Sequence, residues 1–155
     1  MEFQQIIEKR KSIRTYADTP ISQEILDHIL QVGELAPTSR NRKPCTFHLI
    51  QDKGALQRLS KAKNAGAAFT ADAAAAIVVA ADSEKADTWI EDSSIALTYM
   101  MLAAEEQNLG CCWVQMHLRK DENGRDAEEN VRELLGLPER LRVVGFLALG
   151  NNHDQ

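Results

Sequence analysis

The residues most able to do chemistry in this chain are the cations and hydroxyl of Arg10-Lys11-Ser12-Ile13-Arg14. If the backbone is extended from Ser12, then Ser12 and Arg14 point to one side and Ile13 to the other. Guanidinium and hydroxyl groups placed in this way can converge on one anion. The arginine fork matches phosphate oxygens, and a hydroxyl adds a short hydrogen bond. The same residues have a plainer reading, since cations are favoured at helix C-termini and an arginine stem can lie over apolar surface. Other reactive types are sparse. Cys45, Cys111 and Cys112 are odd in number, with two adjacent, so they form no disulfide framework. They read as buried reduced thiols. No Cys/His spacing suits a metal, and His28, His48, His117 and His153 are scattered, so no metal site is expected. No side-chain nucleophile or triad stands out, and no catalytic side chain is assigned.

The elements must bring these residues together. A chain of 155 residues reads as one domain, 1–155, long enough to bury a core without staples. Its 44% hydrophobic and 26% charged content is that of a soluble globular protein. A net charge of −5 argues against a general nucleic-acid binder but leaves room for a local basic pocket. The longest apolar run, Ala73 to Ala81, is too short to span a bilayer, so no membrane association is expected. The N-terminus lacks the apolar segment of a secretory signal, so a cytoplasmic location is expected.

Glu2 to Lys11 reads as an amphipathic helix with Phe3, Ile6 and Ile7 on its buried stripe and Arg10 at the edge. Ser22 caps a second helix that ends before Pro37. A polar loop runs from Ala36 to Pro44, followed by a strand, Cys45 to Gln51. Gly54 to Lys63 reads as a short helix, and Asn64 to Asp72 is ambiguous. Ala74 to Ala81 reads as a buried strand. The segment from about Thr88 to Leu109 is the longest helix, apolar nearly all round from Ile95 to Ala104, so it is buried on more than one side. Gly110 is its expected left-handed cap. Cys111 to Met116 reads as a strand. Asp126 and Glu129 open a helix with a capping-box pattern, and Gly136 and Pro138 close it. Arg142 to Leu149 is the last strand, before a polar tail, Asn151 to Gln155. Pattern alone defaults to a parallel, doubly wound sheet, yet neither a Gly-x-Gly-x-x-Gly turn nor a Walker loop is present.

Four stretches, in one order, resemble the FMN-dependent nitroreductase family. Arg10 to Tyr16 resembles its Arg-x-Ser-x-Arg opening. Ala36-Pro37-Thr38-Ser39-Arg40-Asn41, with Pro44 and Phe47, is similar to its Ala-Pro-Ser-Ser-x-Asn-x-Gln-Pro-Trp-x-Phe loop. The apolar helix runs into Asn108-Leu109-Gly110-Cys111-Cys112-Trp113-Val114. Leu134-Leu135-Gly136-Leu137-Pro138 leads to Val143 through Gly150. The resemblance implies an α+β, three-layer sandwich with a mixed, mostly antiparallel sheet flanked by helices, replacing the parallel default. It also implies a homodimer through the long central helix.

By the same resemblance, FMN is the cofactor and NADH or NADPH the co-substrate, with hydride passing through flavin N5 to a nitroaromatic, quinone or similar small-molecule acceptor in ping-pong order. Arg10, Ser12 and Arg14 would hold the phosphate and ribityl chain, with Lys11 assisting. Asn41 would bond the pyrimidine edge of the flavin, and Pro37, Thr38 and Ser39 would reach the flavin of the other subunit. Lys43, two residues after Asn41, is a candidate cation for flavin N1; a solvated loop lysine is the alternative. Departures from the pattern are Cys45 in place of Trp, Lys43 in place of Gln, and Gly150-Asn151-Asn152 in place of a Gly-Tyr-Pro ending. The sequence also stops at Gln155, where typical members continue with a basic segment. A flavin- or nucleotide-binding protein without efficient turnover is the competing expectation.

Overall fold

The computed structural model describes residues 1–153; Asp154 and Gln155, the end of the expected polar tail, lie outside the described residues. In chain order the elements are α1 (Phe3–Lys9), α2 (Gln23–Glu34), β1 (Cys45–Ile50), α3 (Lys53–Ser60), β2 (Ala75–Asp82), α4 (Trp89–Glu106), β3 (Leu109–Gln115), α5 (Ala127–Leu135) and β4 (Leu141–Asn151). Short 3₁₀ turns cover Ser39–Asn41 and Ala68–Asp72.

The four strands form one sheet in the order β1-β2-β4-β3, with every neighbouring pair antiparallel. The only parallel pairing among the described residues is the isolated Ser12–Cys111 bridge at the outer edge of β3. The parallel default drawn from pattern therefore fails, and the antiparallel expectation holds. A central strand with both faces covered reads as an unbroken apolar run, which is why β2 carried no directional signal.

Helices α2 and α4 cover one face of the sheet, over Ile77, Val79, Leu147 and Leu149. Helices α3 and α5 and the second 3₁₀ turn cover the other, over Val78, Ala80, Val114, Phe146 and Ala148. A register shift between Val79 and Ala80 leaves Val144 as an extra residue and reverses the alternation of β4, so Val143 joins the core of Phe146 and Ala148 and Val144 that of Leu147 and Leu149.

Several local expectations change. On α1 only Ile6 is buried; Phe3 is 67% and Ile7 47% exposed, because the helix has seven residues and packs mainly on α4. The left-handed residue after α4 is Asn108, at φ 60°, a conformation asparagine tolerates better than most residues. Gly110 lies instead within β3. A Cβ there would stand 2.8 Å from Ile13 Cγ2 and 2.9 Å from Asn152 Oδ1, so its role is close approach. Asp126 sits at the N-cap of α5 but makes no capping bond; its carboxylate meets Lys120 Nζ at 2.8 Å and Glu129 pairs with Arg125. The start of the expected tail is ordered: Asn151 Nδ2 donates to Thr19 Oγ1 at 2.8 Å, and Asn152 Nδ2 to the Asn108 carbonyl at 2.9 Å.

Gly150 lets the Tyr16 ring lie flat on β4, since a Cβ there would fall 2.5 Å from Tyr16 Cβ and Cγ. Overpacking of this kind costs about 1–3 kcal/mol. Gly150→Ala is therefore expected to lower the unfolding free energy by that amount, read as a lower urea midpoint, and an unchanged midpoint would show that Tyr16 can move aside.

Candidate functional site

The basic segment is held by its backbone. Ile13 N–H donates to the Cys111 carbonyl at 3.0 Å, and Ala17 N–H to the Asn151 carbonyl at 2.9 Å. Between them the buried Tyr16 hydroxyl donates to the Ile13 carbonyl at 2.7 Å. Burial raises the Tyr16 pKa first, with smaller effects from Cys111 and Cys112, so the phenol stays protonated as a donor. The bridge from Ser12 to Cys111 adds this segment to the outer edge of β3. Lys9, Arg10, Lys11, Ile13 and Thr15 line a groove of about 460 Å³, together with Met101 and Glu105 of α4. Ser12 and Arg14 are exposed. No salt bridge among the described residues engages Arg10, Lys11 or Arg14. Arg10 and Lys11 line the groove, together with Glu105, and Arg14 stands exposed three residues further on; with none of the three in a salt bridge among the described residues, the cations make an anion-binding arrangement.

The second group of predicted residues lies on the loop between α2 and β1. Pro37, Asn41 and Lys43 are exposed, while Thr38 and Ser39 are half-buried. Arg40, Asn41 and Lys43 take φ of 53°, 55° and 50°, and none is glycine. Each such residue costs about 1–2 kcal/mol, and strain of this kind gathers at functional sites. The loop is braced to keep that shape. Lys43 N–H donates to Thr38 Oγ1 at 3.1 Å, Ser39 N–H to Asp92 Oδ1 at 3.1 Å, and Lys85 Nζ to the Lys43 carbonyl at 3.4 Å. Asn41 and Lys43 thus travel with Pro37, Thr38 and Ser39 as one unit.

The two groups sit at opposite ends of α4. The loop is tied to Asp92 in its first turn, whereas the groove uses Met101 and Glu105 near its last. The helical rise puts Asp92 and Glu105 about 20 Å apart. Between them α4 leaves Ile95 and Tyr99 exposed, as α1 does Phe3 and Ile7. An apolar groove of about 440 Å³ opens there, lined by Phe3, Ile6, Val32, Tyr99, Leu102 and Ala103 among others.

Sequence reasoning missed two charged features. Asp92 is 2% exposed, and its place in a first turn reads in sequence as an ordinary complement to the helix dipole. Glu128, 5% exposed, collects Arg142, His117 and the Val143 amide from other elements, which spacing cannot reveal. The cysteines behave as packing groups: all three are free, burial pushes the Cys45 thiol up to about 11, and burial also raises Cys111 strongly. Among the described residues no His/Cys/Asp/Glu group could hold a metal, and no helix is long and apolar enough to cross a membrane.

The chain matches the Nitroreductase family model over residues 7–67 and 55–151. It is 34% identical over 154 residues to a provisionally named NADH dehydrogenase/NAD(P)H nitroreductase of Archaeoglobus fulgidus, covering 97% of this chain and 85% of that protein. An FMN-dependent nitroreductase from Clostridium difficile superposes with a TM-score of 0.94 at 38% identity, over 99% of this chain and 89% of the other. A nitroreductase-like protein from Desulfovibrio desulfuricans, solved in complex with FMN, superposes with a TM-score of 0.80 at 28% identity, over 97% and 86% of the two chains. With the family model spanning almost all of it and the fold shared throughout, the chain belongs to the nitroreductase family.

Proposed function

We propose that this protein is an FMN-dependent oxidoreductase that uses NADH or NADPH to reduce a nitroaromatic, quinone or similar small acceptor in ping-pong order. The observation that carries this reading is the set of unpaired cations fixed beside the α4 groove. The groove fits the group. Its volume falls within the roughly 300–1,000 Å³ of small-molecule sites, and its lining combines the cations Arg10 and Lys11 with apolar Ile13, Met101 and Leu109 and with polar Glu105 and Asn152. The solved relatives named for FMN support the same choice.

When bound, FMN supplies the redox chemistry itself, accepting hydride at N5 and passing it to the acceptor. The chain's residues bind and orient. Arg10, Ser12 and Arg14 would hold the phosphate and ribityl chain, with Lys11 assisting. Asn41 would bond the pyrimidine edge, Lys43 would supply a cation to the flavin ring, and Pro37, Thr38 and Ser39 would reach the flavin held by a second copy. The exposure of Phe3, Ile7, Ile95 and Tyr99 supports a composite site. A two-fold axis across the exposed middle of α4 would run two copies antiparallel, cover those residues and bring each loop toward the other copy's clamp.

Titration of the purified protein with FMN, read by quenching of flavin fluorescence, tests the binding half of this reading. Saturation at micromolar FMN, followed by menadione-stimulated NAD(P)H oxidation with parallel double-reciprocal lines, is the expected result. Protein that binds no FMN at micromolar concentrations contradicts it. Binding without turnover favours a flavin-binding role instead.

A further inference from the structure

Asp92 is a buried carboxylate with no cationic partner: no salt bridge among the described residues includes it. Its two oxygens are taken by neutral donors. Ser39 N–H donates to Oδ1 at 3.1 Å, and Thr88 Oγ1 donates to Oδ2 at 3.0 Å. A charge buried in this way is costly for a core, and an apolar residue there would avoid the cost. The first turn of α4 offsets part of it through the helix dipole and the charge-assisted bonds. What the carboxylate does specifically is grip one backbone amide at the start of the 3₁₀ turn that carries Arg40 and Asn41, both left-handed. The next residue, Ser93, braces the far end of the same loop through Cys45 Sγ at 3.9 Å.

We propose that Asp92 is the positioning residue of the flavin loop, holding Thr38–Lys43 in its strained shape before the cofactor arrives. The assignment rests on the FMN reading above. Asp92 touches no ligand; it acts through Ser39. A loop pre-set in this way spares FMN the cost of ordering it.

The role separates acceptor geometry from charge and from packing. Asp92→Asn keeps an oxygen for the Ser39 amide and turns its NH₂ to Thr88 Oγ1, so it retains the hold. Asp92→Ala releases it. Ser39→Pro deletes the amide itself at the first position of a helical turn, where proline is tolerated, and the preceding Thr38 is already extended at φ −132°, ψ 155°. Ser39→Ala keeps the amide and is its reference.

FMN titration of the four apoproteins, each checked by thermal melting, gives the test. Asp92→Ala and Ser39→Pro are expected to bind FMN about tenfold or more weakly than wild type and Ser39→Ala respectively, with Asp92→Asn within about threefold of wild type. Rescue by asparagine in a folded protein is a result that mere packing at this position does not produce. Equal FMN affinity in folded Asp92→Ala, or in Ser39→Pro against Ser39→Ala, overturns the assignment while leaving the FMN reading intact. Asparagine as weak as alanine overturns positioning in favour of charge. Wild-type protein that binds no FMN defeats the functional reading itself.

Discussion

Replacing Arg10 by alanine is expected to weaken FMN binding by about tenfold to a hundredfold, the scale of one lost charge-assisted contact. Arg10 is half-buried at the C-cap of α1, where its backbone N–H closes on the Ile6 carbonyl and stays in place after truncation. Its guanidinium forms no salt bridge among the described residues, so its removal leaves no carboxylate orphaned. The fold should therefore survive, with a melting temperature close to wild type for the apoprotein. Lys11→Ala should cost less, because an ammonium offers a point charge where arginine offers a planar fork. Arg14→Ala should also lose affinity without unfolding, since Arg14 is exposed. Fluorescence titration reads all three. An Arg10→Ala protein with wild-type FMN affinity removes this residue from the site.

The largest expected stability effect lies elsewhere, at Glu128. Its carboxylate accepts Arg142 Nε at 2.9 Å and Nη2 at 3.0 Å, the Val143 N–H at 2.9 Å, and His117 Nδ1 at 2.7 Å. Arg142 in turn lies 4.5 Å above the Trp89 ring, and His117 meets that ring edge-on with centroids 5.2 Å apart. One buried carboxylate thus ties α5, β4, the turn after β3 and the start of α4. Glu128→Ala leaves Arg142 and the buried Val143 amide without their acceptor; Arg142 is 34% exposed and regains water, so the loss is that of charge-assisted hydrogen bonds, about 2–3 kcal/mol, rather than of a fully buried pair. For a chain of this size that is a melting temperature lower by roughly 4–12 °C.

The pH dependence has a definite sign. Burial acts to raise the Glu128 pKa, but the hydrogen bonds from Arg142, His117 and Val143 outweigh it and hold the carboxyl below its ordinary value of 4.5. A depressed carboxyl contributes stability that is present above that ordinary value and is lost as the pH falls through the folded-state pKa. Urea midpoints measured downward from pH 5 should fall more steeply for wild type than for Glu128→Ala. Parallel slopes would mean that Glu128 is not held charged by the fold.

Much of the architecture was legible where a local rule and the tertiary context agree. Ser22 does cap α2, accepting the Ile25 N–H at 3.3 Å, and Gly136 does end α5 in the left-handed conformation. The run from Ala75 is a central strand with its apolar residues split between two cores. Strand direction was not legible from pattern, because a strand buried on both faces looks the same in either sheet type; the family resemblance supplied it. The inward stripe of α1 was overread, since Phe3 and Ile7 stay exposed and only Ile6 joins the core. In the site, residue types marked the clamp, but its seat against the outer edge of β3 depends on the single bridge from Ser12 to Cys111. The strain at Arg40, Asn41 and Lys43 leaves no trace in composition, because no glycine advertises it. Nor does Asp92 declare its partner, which lies 53 residues earlier in the chain.

The composite site is the central claim, and subunit mixing measures it most directly. Co-expression of Arg10→Ala with Ser39→Pro under two affinity tags yields a mixed dimer in which one site carries both lesions and the other carries neither. The account predicts one FMN bound per mixed dimer at wild-type affinity, while each variant alone binds weakly. A mixed dimer with no wild-type-affinity site, or a chain that remains monomeric, would contradict it.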